Sequence, residues 1–395
     1  MTSRDPSRSM LLFYALPAFA AALPTIPIYI HLPALYAKQP GLGLAAIGVA
    51  LLIARLFDAL SDPLVGALSD RFPFRGHYRK PWIAAGAIVA GIGRVYRLLL
   101  PPADAGAAYF ALWSIALFAG WTLFSVPYLA WGAELVSGYA ARARLTAWRE
   151  AFGLAGILVA GLPGVFVVAA GDPERAAAAW IAWGAILSGA ILIPLMLVRV
   201  PDAGLIRPLP VRPRTPYHRR WLALVGNRLF LRLLAAWFVN GLANGIPAVL
   251  FFLYLEYRLE AGEQMRALLV LLYFLAAIAG MPLWPALSRR FGKHRVWCGA
   301  MLAACAAFMA VPWLSPGDFA AFALVCVVTG VALGADMALP PAMQADVLDY
   351  DSMRFRTRRA GLLFALWNMA GKLALALSAG LALTVLPVLG FDPAA

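Results

Sequence analysis

Long apolar runs alternate with short arginine-rich stretches along the whole of this chain. The runs fall near 10–36, 44–69, 81–100, 106–136, 147–170, 176–198, 229–257, 267–287, 294–313, 318–345 and 359–387. Each is about as long as the roughly 20 residues that an α-helix needs to cross a bilayer core. Inside lipid, a backbone must satisfy its own hydrogen bonds, so such runs predict helices. Eleven membrane-spanning helices are therefore expected.

Composition agrees with the pattern. The chain has 395 residues, 63% of them hydrophobic and only 13% charged, which is too apolar for a soluble domain of this size. Its net charge of +14 would suggest nucleic acid in a soluble protein, but the placement of the charge explains it better. Basic residues crowd into alternate connections: Arg71, Arg75, Arg79 and Lys80 after the second run, Arg142, Arg144 and Arg149 after the fourth. Further clusters follow the sixth run, the eighth (Arg289, Arg290, Lys293) and the tenth (Arg354 to Arg359). By the positive-inside rule, the N-terminus and the even-numbered connections belong in the cytoplasm. The lipid bilayer is the implied partner, and no nucleic acid is. Cys298, Cys305 and Cys326 all lie in apolar runs and read as packing residues.

A stretch rich in Pro and Arg follows the sixth run and reads as a linker. The expected organisation is an N-terminal six-helix bundle at 1–199, a cytoplasmic linker at 200–228 and a C-terminal bundle of about five helices at 229–395. The halves echo each other weakly: Gly66-Ala-Leu-Ser-Asp70-Arg71 closes the second run and Ala286-Leu-Ser-Arg289-Arg290 closes the eighth. Repeated halves are a common build for transporters, with the solute between them. A second half of six spans needs another apolar run after Leu386, so a twelfth span is expected to be missing.

The second run carries the chemistry. At about 100° per residue, Arg55, Asp58 and Asp62 share one face of a helix. An ionised group at mid-membrane costs about 2.5–3.5 kcal/mol on insertion scales. Such groups need a water-filled path, a bound cation or one another. An internal salt bridge that locks helices is one reading; a cation site coupled to transport is the other.

The segment Arg55…Asp58…Asp62-Pro63…Gly66…Asp70-Arg71 is similar to the signature of the glycoside–pentoside–hexuronide:cation symporters, the melibiose-permease-like branch of the major facilitator superfamily. Val126-Pro127-Tyr128, Trp131 and Glu134-Leu135, followed by Arg142, Arg144, Thr146 and Arg149, resemble its fourth-span pattern. Asp346, Asp349-Tyr350-Asp351, Arg358-Arg359, Gly361 and Lys372 resemble its tenth-to-eleventh-span pattern. The resemblance implies an all-α polytopic membrane protein with two pseudo-symmetric helical bundles. It implies cation-coupled symport of a small solute, a sugar or glycoside, by alternating access at a bacterial inner membrane. The partners are then the solute, the bilayer and a coupling cation, Na⁺ or H⁺, with a monomer expected and no resident cofactor.

By the same resemblance, Asp58, Asp62 and Thr122 hold the cation, with Ser61 where the melibiose-permease pattern has an asparagine. Arg149 and Lys372 keep their substrate-side positions. The first span carries no acid, and Ser125 stands where the fourth span of that pattern has a carboxylate. This departure opens an alternative: a carrier or exporter of lipid-like molecules, or an inactive carrier lacking its last helix. Tyr128 and Trp131 are further substrate candidates. Asp336 is read either as a substrate or proton-path residue or as a polar packing residue, and Asn240 and Asn244, four apart, as inter-helix hydrogen-bonding groups. Asp70, Arg71, Glu134 and Arg142 are the gating candidates. The sequence has no zinc-binding His-Glu pattern, phosphate loop or serine elbow, so no enzyme is expected.

Overall fold

The computed structural model describes residues 6–25, 44–74, 76–91, 102, 105–162, 173–202, 224, 226–355 and 359–390. Twelve α-helices lie among them: α1 (Arg8–Ala22), α2 (Leu44–Arg71), α3 (Lys80–Ala90), α4 (Ala107–Leu135), α5 (Tyr139–Gly161), α6 (Pro173–Arg199), α7 (Arg228–Leu253), α8 (Glu263–Gly280), α9 (Leu283–Phe291), α10 (Lys293–Phe308), α11 (Phe319–Phe355) and α12 (Ala360–Val388). Within the described residues, each of the eleven predicted spans coincides largely with helix. The twelfth helix arises because the eighth span is two pieces, α8 and α9, broken at Met281-Pro282. Seven helices among the described residues are long and apolar enough to cross a membrane.

Two boundaries differ from expectation. α5 begins at Tyr139, so Arg142 and Arg144 lie on helix and not in a loop. α11 runs to Phe355 and takes in Asp346, Asp349 and Asp351. In both places charged residues mask the helix from a hydropathy reading, because only the apolar part signals a span. The outer end of the third span, the 26–43 segment and most of the expected linker lie outside the described residues.

Local chemistry sets the ends. Ser7 Oγ accepts the Met10 amide at 3.2 Å and caps α1. Asn227 Oδ1 accepts the Phe230 amide at 3.0 Å and caps α7. Gly292, with φ at +85°, separates α9 from α10 in a conformation that a residue with a Cβ resists.

The chain divides into two compact units. The first comprises Met1–Pro210 together with Arg358–Ala365, so it includes the start of α12. The second comprises Val211–Thr357 and Leu366–Ala395. In the first, α2 and α3 pack on α4, and α1 packs on α5 and α6. One apolar cluster forms around Tyr14, Ile83, Phe124, Tyr128 and Trp131. In the second, α11 is the central element, against α8 and α10.

Candidate functional site

Asp58 and Asp62 stand one helical turn apart on the buried face of α2, at 3% and 0% exposure. The opposite face shows Leu52, Leu56, Leu60 and Leu64. The acids meet Thr122 of α4: Thr122 Oγ1 lies 3.0 Å from Asp58 Oδ1 and 2.8 Å from Asp62 Oδ1. Ser61 Oγ is 3.4 Å from the Thr122 hydroxyl and donates to the Asp58 carbonyl at 3.0 Å. Ser61, Asp58, Asp62 and Thr122 therefore form one oxygen cluster. Arg55 is exposed on the same helix, its guanidinium 5.8 Å from the Phe118 ring centre, one turn before Thr122 on α4.

This geometry constrains the chemistry. A hydroxyl has one hydrogen to donate, so Thr122 satisfies one carboxylate at a time. All groups in the cluster are hard oxygen donors, the set that suits Na⁺ or a proton. Among the described residues, no group of three or more His, Cys, Asp or Glu side chains is arranged to hold a metal ion.

A second network closes the cytoplasmic end predicted for α2. Arg79, fully buried, donates to Asp70 at 2.7 Å, to Glu134 at 3.0 and 2.8 Å and to Ser69 at 3.0 Å. Burial opposes its charge, but Glu134 and Asp70 outweigh burial and raise its pKa. Asp70 also accepts the amides of Gly361 at 2.8 Å and Leu362 at 3.0 Å, the first turn of α12. A carboxylate at a helix N-terminus is favoured by the unpaired amides there. Of the gating candidates, the structure brings Asp70 and Glu134 together. Arg71 instead lies exposed against Phe72, and Arg142 Nε donates to the Val136 carbonyl at 3.1 Å. Sequence reasoning missed Arg79 as the bridging cation, although it stands in the same basic stretch.

The substrate candidates divide between the units. Tyr128 is locked to Tyr14 of α1: each hydroxyl donates to the other's backbone carbonyl, at 2.9 and 2.5 Å, and the rings stack at 4.8 Å. Trp131 is fully buried against Tyr14, with Lys80 Nζ 5.7 Å from its ring. Arg149 pairs with its neighbour Glu150, which the sequence reading did not single out, through a 3.1 Å Nε contact and a shorter Nη2 contact. Ser125 Oγ is buried without a hydrogen-bond partner among the described residues. Tyr14 was also missed; the glycine opposite it, Gly132, is its signal, since a Cβ there would lie 2.0 Å from the Tyr14 hydroxyl.

In the second unit, Lys372 is partly buried on α12. Asp336 of α11 accepts hydrogen bonds from Asn240 and Asn244 of α7 and from Trp297 of α10, the first at 3.1 Å. The two asparagines thus make the inter-helix bonds their spacing suggested. Lys293 Nζ of α10 pairs with Asp346 at 2.6 Å.

The sequence profile described as MFS/sugar transport protein matches residues 13–395. The chain is 23% identical to the glucuronide carrier protein homolog of Escherichia coli, over 90% of this chain and 78% of that one. It is 23% identical to the sodium-dependent lysophosphatidylcholine symporter 1-A of Danio rerio, over 87% of this chain and 71% of that one. A solved proton:xylose symporter of the major facilitator superfamily, bound to 6-bromo-6-deoxy-D-glucose, superposes with a TM-score of 0.61 at 17% identity. The match covers 94% of this chain and 86% of that one.

Proposed function

This chain belongs to the MFS/sugar transport protein family, and from that premise we propose that it couples a cation gradient to the movement of a small solute, a sugar or glycoside. It is a membrane transporter and not an enzyme. The observation that carries the coupling is the sharing of one Thr122 hydrogen between Asp58 and Asp62. A cation or proton entering the cluster neutralises part of its charge. Because the acids lie within a span, that neutralisation lowers the cost of an occluded state. Linkage then requires cation binding and solute binding to strengthen each other.

A relative named as a sodium-dependent symporter and a fold neighbour named as a proton:xylose symporter leave either ion open. The oxygen cluster is chemically suited to both. Alternating access of an N-terminal and a C-terminal bundle is the mechanism proposed, with cytoplasmic even-numbered connections at an inner membrane. Asp70, Arg79 and Glu134 form the cytoplasmic latch. Proteoliposome uptake over a solute panel, with Na⁺ and proton gradients varied separately, tests the reading. Accumulation of a sugar or glycoside driven by one gradient supports it; equilibration alone under both gradients contradicts it.

The missing acids on the first span and at Ser125 favour a second reading, transport of an amphipathic solute, in line with the lysophosphatidylcholine symporter. Stabilisation by lysolipids but not by sugars, in the same cation, selects that reading.

A further inference from the structure

We propose that Asp336 is the anchor for a positively charged, hydrogen-bond-donating group on the transported solute, an ammonium in the simplest case. The inference rests on the transport reading above and adds the charge of the ligand. Asp336 sits mid-way along α11 and is 9% exposed. Its Oδ2 accepts from Asn240 and Asn244, and its Oδ1 from Trp297. An ionised carboxylate offers about four acceptor positions. Three are filled among the described residues, and the fourth lies on Oδ1.

The partners are the unusual part. All three are neutral, so the charge of Asp336 is met by dipoles alone among the described residues. The same unit treats another acid differently: Asp346 is paired with the buried Lys293. A membrane-embedded carboxylate held by neutral donors is costly as a packing device, because an asparagine would accept similar bonds without a charge.

The arrangement also selects among positive ligands. A metal ion needs several oxygen ligands, whereas here three N–H dipoles point their positive ends at the carboxylate and one oxygen position is left among the described residues. An ammonium needs a single acceptor and gains a charge-assisted bond. The geometry therefore favours an amine over Na⁺ at this place, distinct from the oxygen cluster of Asp58 and Asp62.

Thermal unfolding of the purified full-length chain tests this with matched probes: glucosamine against glucose, and ethanolamine against ethylene glycol, at constant ionic strength. The expected result is at least about tenfold tighter apparent binding of the amine in one of the pairs. Asp336→Asn abolishes that preference; if it does not fold, Asp336→Ser replaces it. No preference in the wild type for either pair overturns the proposal, as does a preference that survives removal of the acid. A Na⁺ titration on the same samples separates the two readings. A Na⁺ response without amine preference sinks only this inference, and amine preference without any Na⁺ or proton response sinks only the coupling.

Discussion

Gly66 and Gly361 meet backbone to backbone. A Cβ built on Gly66 would lie 2.4 Å from the Gly361 carbonyl oxygen, and one built on Gly361 would lie 2.4 Å from the Gly66 carbonyl oxygen. Small residues at such a crossing let helices approach closely, and here the approach brings the Gly361 amide within 2.8 Å of Asp70. Neither obstacle is the flexible end of a side chain. Gly66→Ala and Gly361→Ala should each destabilise the first unit by about 1–3 kcal/mol. Thermal unfolding in detergent checks this, with Gly48→Ala, where the added Cβ meets nothing beyond its own local helix backbone among the described residues, as the clash-free control.

Arg79 holds two acids at once. Removing it leaves Asp70 and Glu134 buried without their cation, so Arg79→Gln should cost about 3–5 kcal/mol. Adding Glu134→Gln should recover part of that loss, because one uncompensated charge goes with it. Unfolding free energies for the two single variants and the double form a cycle; strict additivity contradicts the network.

Tyr14 and Tyr128 pin α1 to α4. Tyr14→Phe removes a buried hydroxyl that bonds to the Tyr128 carbonyl and to Arg149, and should cost about 1–3 kcal/mol. Gly132→Ala places a methyl group on the Tyr14 hydroxyl and should cost more than Tyr14→Phe. In the double variant the alanine penalty should shrink, since the hydroxyl it strikes is gone. Equal penalties in both backgrounds would mean that Gly132 has another role.

Much of this architecture is legible in the residues themselves. Helix positions follow from apolar runs, and the face shared by Asp58 and Asp62 follows from helical periodicity. What periodicity cannot supply is the partner. Arg79 and Arg71 look alike in sequence, yet only the packing of α2, α3 and α4 decides which one reaches Asp70. Trp297 could not be matched to Asp336, because the two meet only when α10 packs on α11. Helix ends at Tyr139 and Phe355 were hidden because charged turns carry no hydropathy signal.

Trp297 and the two asparagines share one acceptor, so their contributions should be coupled. Trp297→Phe removes a hydrogen bond to an ionised group and should cost about 1.5–3 kcal/mol. In an Asp336→Asn background the same change should cost less, because the remaining acceptor is neutral. Unfolding midpoints of the four proteins decide between coupling and independence.

The proposed cation binding by Asp58 and Asp62 is tested most directly by following thermal unfolding of the purified protein as Na⁺ is titrated against a choline background, at several pH values. The wild type should gain stability with Na⁺, or with protons if H⁺ is the coupling ion. Thr122→Ala should need about tenfold more cation for the same gain, and Asp58→Asn and Asp62→Asn should show none. A stabilisation by cation that persists unchanged in both asparagine variants would contradict the account.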